Sequence, residues 1–219
     1  MRKKIMSVML MVVMAFGVLT GCGSDEKAST TANSGGGDEK KVLRVGMECA
    51  YAPFNWTQES EEVKGGSKAV PIYGTSYYAY GYDVMMAKKI ADELGWGLEI
   101  HKVEWDSIGL AMDSGEYDCI IAGMGKTAER EKSYSFTKPY YYRDNCITVK
   151  KGSAYEKVKG LSELAGKKVK VTTQLGTGWV PLLPQIPDCI ESGNFETTAE
   201  CFMAITNGVA DVAVIDVPT

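Results

Sequence analysis

The sequence predicts an α/β fold of two similar lobes, each a mostly parallel sheet flanked by helices. Three observations carry that expectation: a stretch that repeats within the chain, strand patterns that alternate with helical ones, and glycines where helices should end. The repeat comes first. SGEYD at 114–118 leads into the apolar run CIIA and then Gly123; 93 residues later NGVAD at 207–211 leads into VAVI and then Asp216.

A helical pattern precedes each copy. Asp106 stands where it would cap a helix carrying Ile108, Ala111 and Met112 on one face. Thr197 and Glu200 spell a capping box ahead of Phe202 and Ile205. A glycine then ends each helix, and the continuous apolar run after it fits a buried parallel strand. The lobes also open alike, with KVLRV at 41–45 and KVKV at 168–171. Residues 82–94 put Val84, Ala87, Ile90, Ala91 and Leu94 on one side before Gly95, and 98–103 is the next strand. The charged, then tyrosine-rich stretch 58–80 reads as a surface insertion between the first strand and the first helix.

At the start of the chain, Arg2, Lys3 and Lys4 precede an apolar run at 5–18 and then Leu19-Thr20-Gly21-Cys22, the layout of a secretory signal over 1–21. The run is too short to span a bilayer: at about 1.5 Å per residue it reaches about 21 Å, against a core of about 30 Å. Small residues just before Cys22 resemble the bacterial lipobox, which implies that this cysteine is acylated and begins the mature chain. Residues 22–41 hold almost no apolar side chain to offset the entropy of ordering, so they read as a flexible tether. Lobe one is then expected over 42–143, a hinge or crossover strand over 144–152, and lobe two over 153–219. A net charge of -4 without clustered Lys or Arg in the folded part argues against nucleic acid. Cys49, Cys119, Cys146, Cys189 and Cys201 lack metal-like spacing; Cys119 reads as core, and a Cys189–Cys201 disulfide stays open.

After the strand ending at Ala122 comes GMGKTAER at 123–130. Gly123 and Gly125 let the backbone approach a ligand, Thr127 can cap a short helix, and Arg130 offers a planar fork for a carboxylate. The spacing of a phosphate loop is absent. The equivalent strand of the second half ends in Asp216, a carboxylate placed to receive an ammonium. Together the two ends suit a zwitterion.

VGMECAYAPF at 45–54, GYDV at 81–84, SGEYD at 114–118, GMGKTAER, FTKPYY at 136–141, GTG at 176–178 and DVAVIDVP at 211–218 occur in order. This series resembles the polar amino-acid-binding proteins of bacterial ABC importers across nearly all of the chain after the tether. The resemblance implies a periplasmic-binding-protein-like fold of two lobes closing on one amino acid, a monomeric receptor without cofactor or metal. It also implies a transmembrane permease and its ATPase subunit as partners, with the lipid anchor as the membrane attachment. Arg130 and the Gly125 N–H would hold the ligand carboxylate with the amides of Thr177 and Gly178; Asp216 and the Gly123 carbonyl would take the ammonium. Tyr51 and Trp105 would flank the ligand side chain, with Glu48 and Gln174 at its far end. Tyr51, Trp105 and Glu48 favour lysine, arginine or another cation; Gln174 suits a neutral amide, and glutamine, histidine and cystine remain rivals.

Three departures from the family pattern stand out. Gly125 replaces the Ser or Thr of many relatives. Pro181 and Pro184 require the first helix of lobe two to be short or displaced. Relatives continue beyond the position of Thr219, so lobe two is expected to be incomplete and the chain to bind weakly. Two other readings compete: the sensor domain of a signalling receptor, and a dehydratase-like enzyme on the same fold, for which Glu48 is the one candidate acid or base. His101, in an amphipathic strand, reads as a surface residue rather than a catalyst.

Overall fold

The computed structural model describes residues 41–217 and 219, so the secretory segment, Cys22 and nearly all of the tether lie outside the described residues. β1 (Val42–Met47) is the central strand of the first lobe, with Val45 and Met47 fully buried. β2 (Ala50–Tyr51), β3 (Asn55–Gln58), β4 (Val70–Pro71) and β5 (Tyr78–Tyr80) follow and pair antiparallel in the order β2-β3-β5-β4. The stretch expected as a surface insertion thus contributes two strands of a small sheet. Its tail alternates with a period of two: Ala79 turns inward and is fully buried, while Tyr80 meets Trp56 edge-on with ring centroids 5.2 Å apart.

α1 (Tyr82–Leu94) starts after Gly81, whose φ of 132° and closeness to the chain require glycine; a Cβ there would stand 2.2 Å from the Phe54 carbonyl oxygen. It stops at Gly95, φ 69°, where the N–H groups of Gly95 and Trp96 return to the carbonyls of Asp92 and Ala91. Val84, Ala87 and Ala91 are buried, but Ile90 and Leu94 are 38% and 50% exposed. At about 100° per residue these two lie about 120° and 80° round from Val84. The lobe covers that flank at the first turn, where Asp83 is buried, and not further along.

β6 (Gly97–Lys102) runs parallel to β1, and a 3-10 turn over Trp105–Ser107 leads into α2 (Ile108–Asp113). Asp106 falls inside that turn instead of capping α2. β7 (Cys119–Ile120) completes a parallel sheet of order β6-β1-β7. His101 of β6 is half-buried, stacked on Tyr73 at 4.6 Å, which corrects its reading as a plain surface residue.

The second lobe contains β8 (Asn145–Val149), β9 (Lys170–Thr172), β10 (Ile190–Glu191), α3 (Thr198–Thr206) and β11 (Val212–Asp216), with sheet order β10-β9-β11-β8. β8 runs antiparallel to β11; the other pairings are parallel. Pro181 and Pro184 lie in a 3-10 stretch, Val180–Gln185, because proline removes the N–H that a longer α-helix needs. The capping box of α3 forms: Thr197 Oγ1 accepts from the Glu200 N–H at 3.2 Å, and the Glu200 carboxylate accepts from the Thr197 N–H at 3.0 Å. All five described cysteines are free.

The internal repeat reaches the level of single hydrogen bonds. Asp118 Oδ2 accepts from the Arg44 N–H at 3.0 Å while the Asp118 N–H donates to the Arg44 carbonyl at 2.9 Å. In the other lobe Asp211 Oδ2 accepts from the Lys170 N–H at 2.9 Å, and the Asp211 N–H donates to the Lys170 carbonyl at 2.8 Å. One aspartate clamp thus registers the strand after each helix against the strand that opens each lobe. Asp118→Ala and Asp211→Ala should each lower stability by about 1 to 2 kcal/mol in urea denaturation. Unchanged midpoints in both variants would show that the clamps contribute nothing.

Candidate functional site

A cavity of about 760 Å³ opens between the lobes. Of the residues singled out in the sequence, Glu48, Tyr51, Trp105, Gly123, Gly125, Arg130, Gln174, Thr177 and Gly178 line it; Asp216 does not. The first lobe contributes the loop after β1, the turn before α2 and the segment after β7. The second contributes the loop after β9. All four follow carboxyl ends of strands of the two parallel arrays, or a turn adjoining one, which is where ligands of α/β sheets sit.

Arg130 opens a short 3-10 turn, Arg130–Lys132, and its N–H donates to Thr127 Oγ1 at 3.2 Å. Its guanidinium donates to the Gly125 carbonyl at 2.9 Å and, across the cleft, to the Gly176 carbonyl at 3.3 Å. It also lies 5.5 Å from the centre of the Trp105 ring. Burial, helped by the nearby charge of Arg143, lowers the Arg130 pKa from its ordinary value. These are the marks of a cation held in place with its charge incompletely compensated. Trp105 is therefore the floor under Arg130, a contact that the spacing of the two residues did not suggest.

In the same cleft Glu48 is 3% exposed and accepts from Gln174 Nε2 at 2.8 Å, so the two residues expected at the far end of a ligand meet each other across the lobes. Gln174 Nε2 also donates to the Glu196 carbonyl at 2.8 Å. Burial pushes the Glu48 carboxyl up to about 7 against the opposing pull of the Gln174 bond. Thr177 uses its hydroxyl within its own turn, donating to the Gln174 carbonyl at 2.7 Å and accepting from the Trp179 N–H at 3.3 Å.

Gly123 takes φ 61°, and a Cβ there would stand 3.0 Å from the Tyr51 ring and 3.2 Å from Arg143 Nη1. A buried polar chain holds this backbone. The Gly123 N–H donates to the Tyr140 hydroxyl at 3.2 Å, that hydroxyl donates to Asp83 at 2.7 Å, and Asp83 accepts from Asn55 Nδ2 at 2.8 Å. Asn55 in turn accepts from the Cys49 N–H at 2.8 Å. Burial raises the Asp83 pKa, and the bonds from Tyr140 and Asn55 oppose that rise.

Asp216 departs most from expectation. Instead of standing free at the cleft mouth it is wholly buried behind Tyr51. Its carboxylate accepts from the Tyr51 hydroxyl at 2.6 Å and from the Thr219 hydroxyl at 2.8 Å, and pairs with Arg143 Nε at 3.2 Å. Arg143 also donates to the Tyr51 oxygen at 2.6 Å and lies 5.8 Å and 5.6 Å from the ring centres of Tyr51 and Trp179. Burial, then Asp216, raises the Tyr51 pKa and keeps the phenol protonated. Sequence reasoning missed Arg143, Asp83 and Tyr140. Asp83 and Tyr140 lay inside quoted motifs, whereas Arg143 had only its place after a tyrosine run as a signal.

Residues 72–213 match the family described as bacterial extracellular solute-binding proteins, family 3. An arginine-binding extracellular protein of Bacillus subtilis is 33% identical over 159 residues, covering 73% of this chain and 51% of its own length. An L-cystine-binding protein of Escherichia coli K12 is 26% identical over 178 residues, 81% of this chain and 60% of its own. Among solved structures, an ancestral amino acid-binding protein described as a precursor of cyclohexadienyl dehydratase superposes with a TM-score of 0.66 at 34% identity, covering 81% of this chain and 70% of that one. The chain thus spans about half to three-fifths of the length of these curated relatives. With the two α/β lobes, the cleft and this match in hand, the chain belongs to the bacterial extracellular solute-binding proteins, family 3.

Proposed function

We propose that this protein is an extracytoplasmic receptor that captures a polar amino acid and delivers it to a transmembrane permease driven by an ATPase subunit. The observation that carries the reading is one interlobe cavity with a desolvated guanidinium, Arg130, on one wall and a buried carboxyl, Glu48, on another. Arg130 would hold the ligand carboxylate, with the amides of Gly125, Thr177 and Gly178 beside it. Asp216 and the Gly123 carbonyl would take the ammonium, and Tyr51 and Trp105 would border the side chain. The proposed division keeps a signal at 1–21, a tether at 22–41 acylated at Cys22, lobes at 42–143 and 153–219, and at 144–152 a hinge or crossover strand whose β8 joins the sheet of the second lobe. Mass spectrometry of the membrane fraction should find an acyl chain on Cys22, and a mature terminus elsewhere would refute the anchor.

A cationic side chain is the favoured ligand, because Glu48 supplies a carboxyl whose ionisation burial disfavours, moving it up to about 7, and which a cation would compensate. The arginine named for the Bacillus subtilis relative supports the same class. The sign of the pH dependence follows. Glu48 titrates near 7 in the fold and near 4.5 when free, so the folded chain keeps a proton that the unfolded chain loses between those values. Without ligand, stability falls as pH rises from 4.5 to 7, and the full penalty stands above 7. Binding of a cation to ionised Glu48 runs the other way.

Isothermal titration should find arginine or lysine affinity falling about tenfold per pH unit below 7 and level above it, while glutamine affinity stays flat. Glu48→Gln should abolish the slope, and a slope that survives would remove Glu48 from the site. Arg130→Ala should weaken every amino-acid ligand by about 30-fold to several thousand-fold, the loss expected when one desolvated partner is removed. Unaltered titrations in that variant would refute the carboxylate assignment.

A carboxyl that titrates near 7 in a cleft also suits proton transfer, and the solved ancestral relative is described as a dehydratase precursor. Recovery of the bound amino acid unchanged after long incubation supports the receptor; recovery of a dehydrated product supports the enzyme.

A further inference from the structure

The seat assigned to the ligand ammonium already holds a cation. Asp216 has no exposed surface, and its carboxylate is engaged by the Tyr51 hydroxyl, the Thr219 hydroxyl and Arg143 Nε. An ammonium group donates three hydrogen bonds and needs a charge to set against its own. Arg143 stands in its way: Asp216 Oδ2 accepts from the phenol at 2.6 Å and lies 3.2 Å from Arg143 Nε, and Oδ1 accepts from the Thr219 hydroxyl at 2.8 Å. Arg143 is the member of this cluster able to leave: its side chain is 22% exposed and lines the cavity, whereas the Asp216 side chain is 0% exposed.

We propose that Arg143 is an internal stand-in for the ligand ammonium, a cation paired with Asp216 that an incoming α-amino acid must displace. The inference rests on the receptor reading above and deepens it by naming what sets the affinity. The exchange conserves charge: one buried ion pair is traded for another, and the guanidinium returns toward solvent. That makes it cheaper than stripping a bare carboxylate of water. Arg143 also lies against the rings of Tyr51 and Trp179, and displacing it clears the space beside Gly123, where a Cβ would meet Nη1 at 3.2 Å. The stand-in lowers the apparent affinity by the fraction of molecules in which the seat is closed.

A ligand without an α-ammonium has no such competitor. Its 2-hydroxy analogue, with the same side chain and carboxylate, can bind beside an undisturbed Arg143. The stand-in therefore compresses the advantage of an amino acid over its hydroxy acid, and removing the stand-in should restore that advantage.

The test is calorimetric titration at pH 8 of the wild-type protein, Arg143→Ala and Arg143→Gln with L-arginine and with its 2-hydroxy analogue. Thermal unfolding of each variant with and without ligand accompanies it, because loss of Arg143 leaves a buried carboxylate unpaired and lowers stability. Both variants should bind L-arginine about tenfold or more tighter than wild type, with the hydroxy acid changed less than about threefold. Should Arg143→Ala not fold, Arg143→Gln, which keeps a donor without the charge, decides alone. If wild type binds and the variants bind L-arginine no tighter, or lose both ligands equally, the stand-in is overturned while the receptor reading stands. If neither wild type nor variants bind any common amino acid, the receptor reading falls and the stand-in with it.

Discussion

The loop that leaves β1 belongs to both lobes, and the cleft depends on that crossing. Met47 and Cys49 pack in the core of the first lobe, while Tyr51 and Phe54, a few residues on, are buried in the core of the second. Between them Glu48 meets Gln174 and Tyr51 meets Asp216. A short, buried, doubly anchored loop brings a carboxyl and a phenol to the interface without an interdomain helix. The relay from Cys49 through Asn55, Asp83 and Tyr140 to Gly123 then ties the same loop to the backbone that follows β7. Buried polar groups without partners would cost about 1 to 3 kcal/mol each, so such a chain tolerates little displacement.

Charge balance in the cleft follows from burial. Arg130 is destabilised as a cation, Glu48 as an anion, and Asp216 is paired with Arg143 at 3.2 Å. A zwitterion with a cationic side chain would meet each of these groups with its opposite. The two lobes would then be held by the ligand more firmly than by their own contacts, and this is how a binding protein comes to close on what it carries.

What the sequence revealed was local. The capping box at Thr197, the stop at Gly95 and the effect of Pro181 and Pro184 each depend on residues within one turn, so they could be read directly. The repeat was also legible, down to two aspartates that turn out to make the same pair of backbone bonds. Asp106 was misjudged because a 3-10 turn intervenes before α2, and the two strands inside the 58–80 insertion went unread because two and three residues are too short to show a pattern. In the cleft, residue types pointed to Arg130 and Glu48, yet Arg143 was marked by nothing more than the tyrosine run before it. Its hydrogen-bond partner Tyr51 lies 92 residues away, and the consequence for Asp216 exists only once both lobes are assembled.

The central claim is that the cleft holds an amino acid by both charged ends. A crystal structure of the protein with L-arginine bound tests it most directly. The account predicts the ligand carboxylate on Arg130, its ammonium on Asp216 with Arg143 turned away, and its guanidinium toward Glu48. A ligand seated outside this cavity, or one whose carboxylate avoids Arg130, would contradict it.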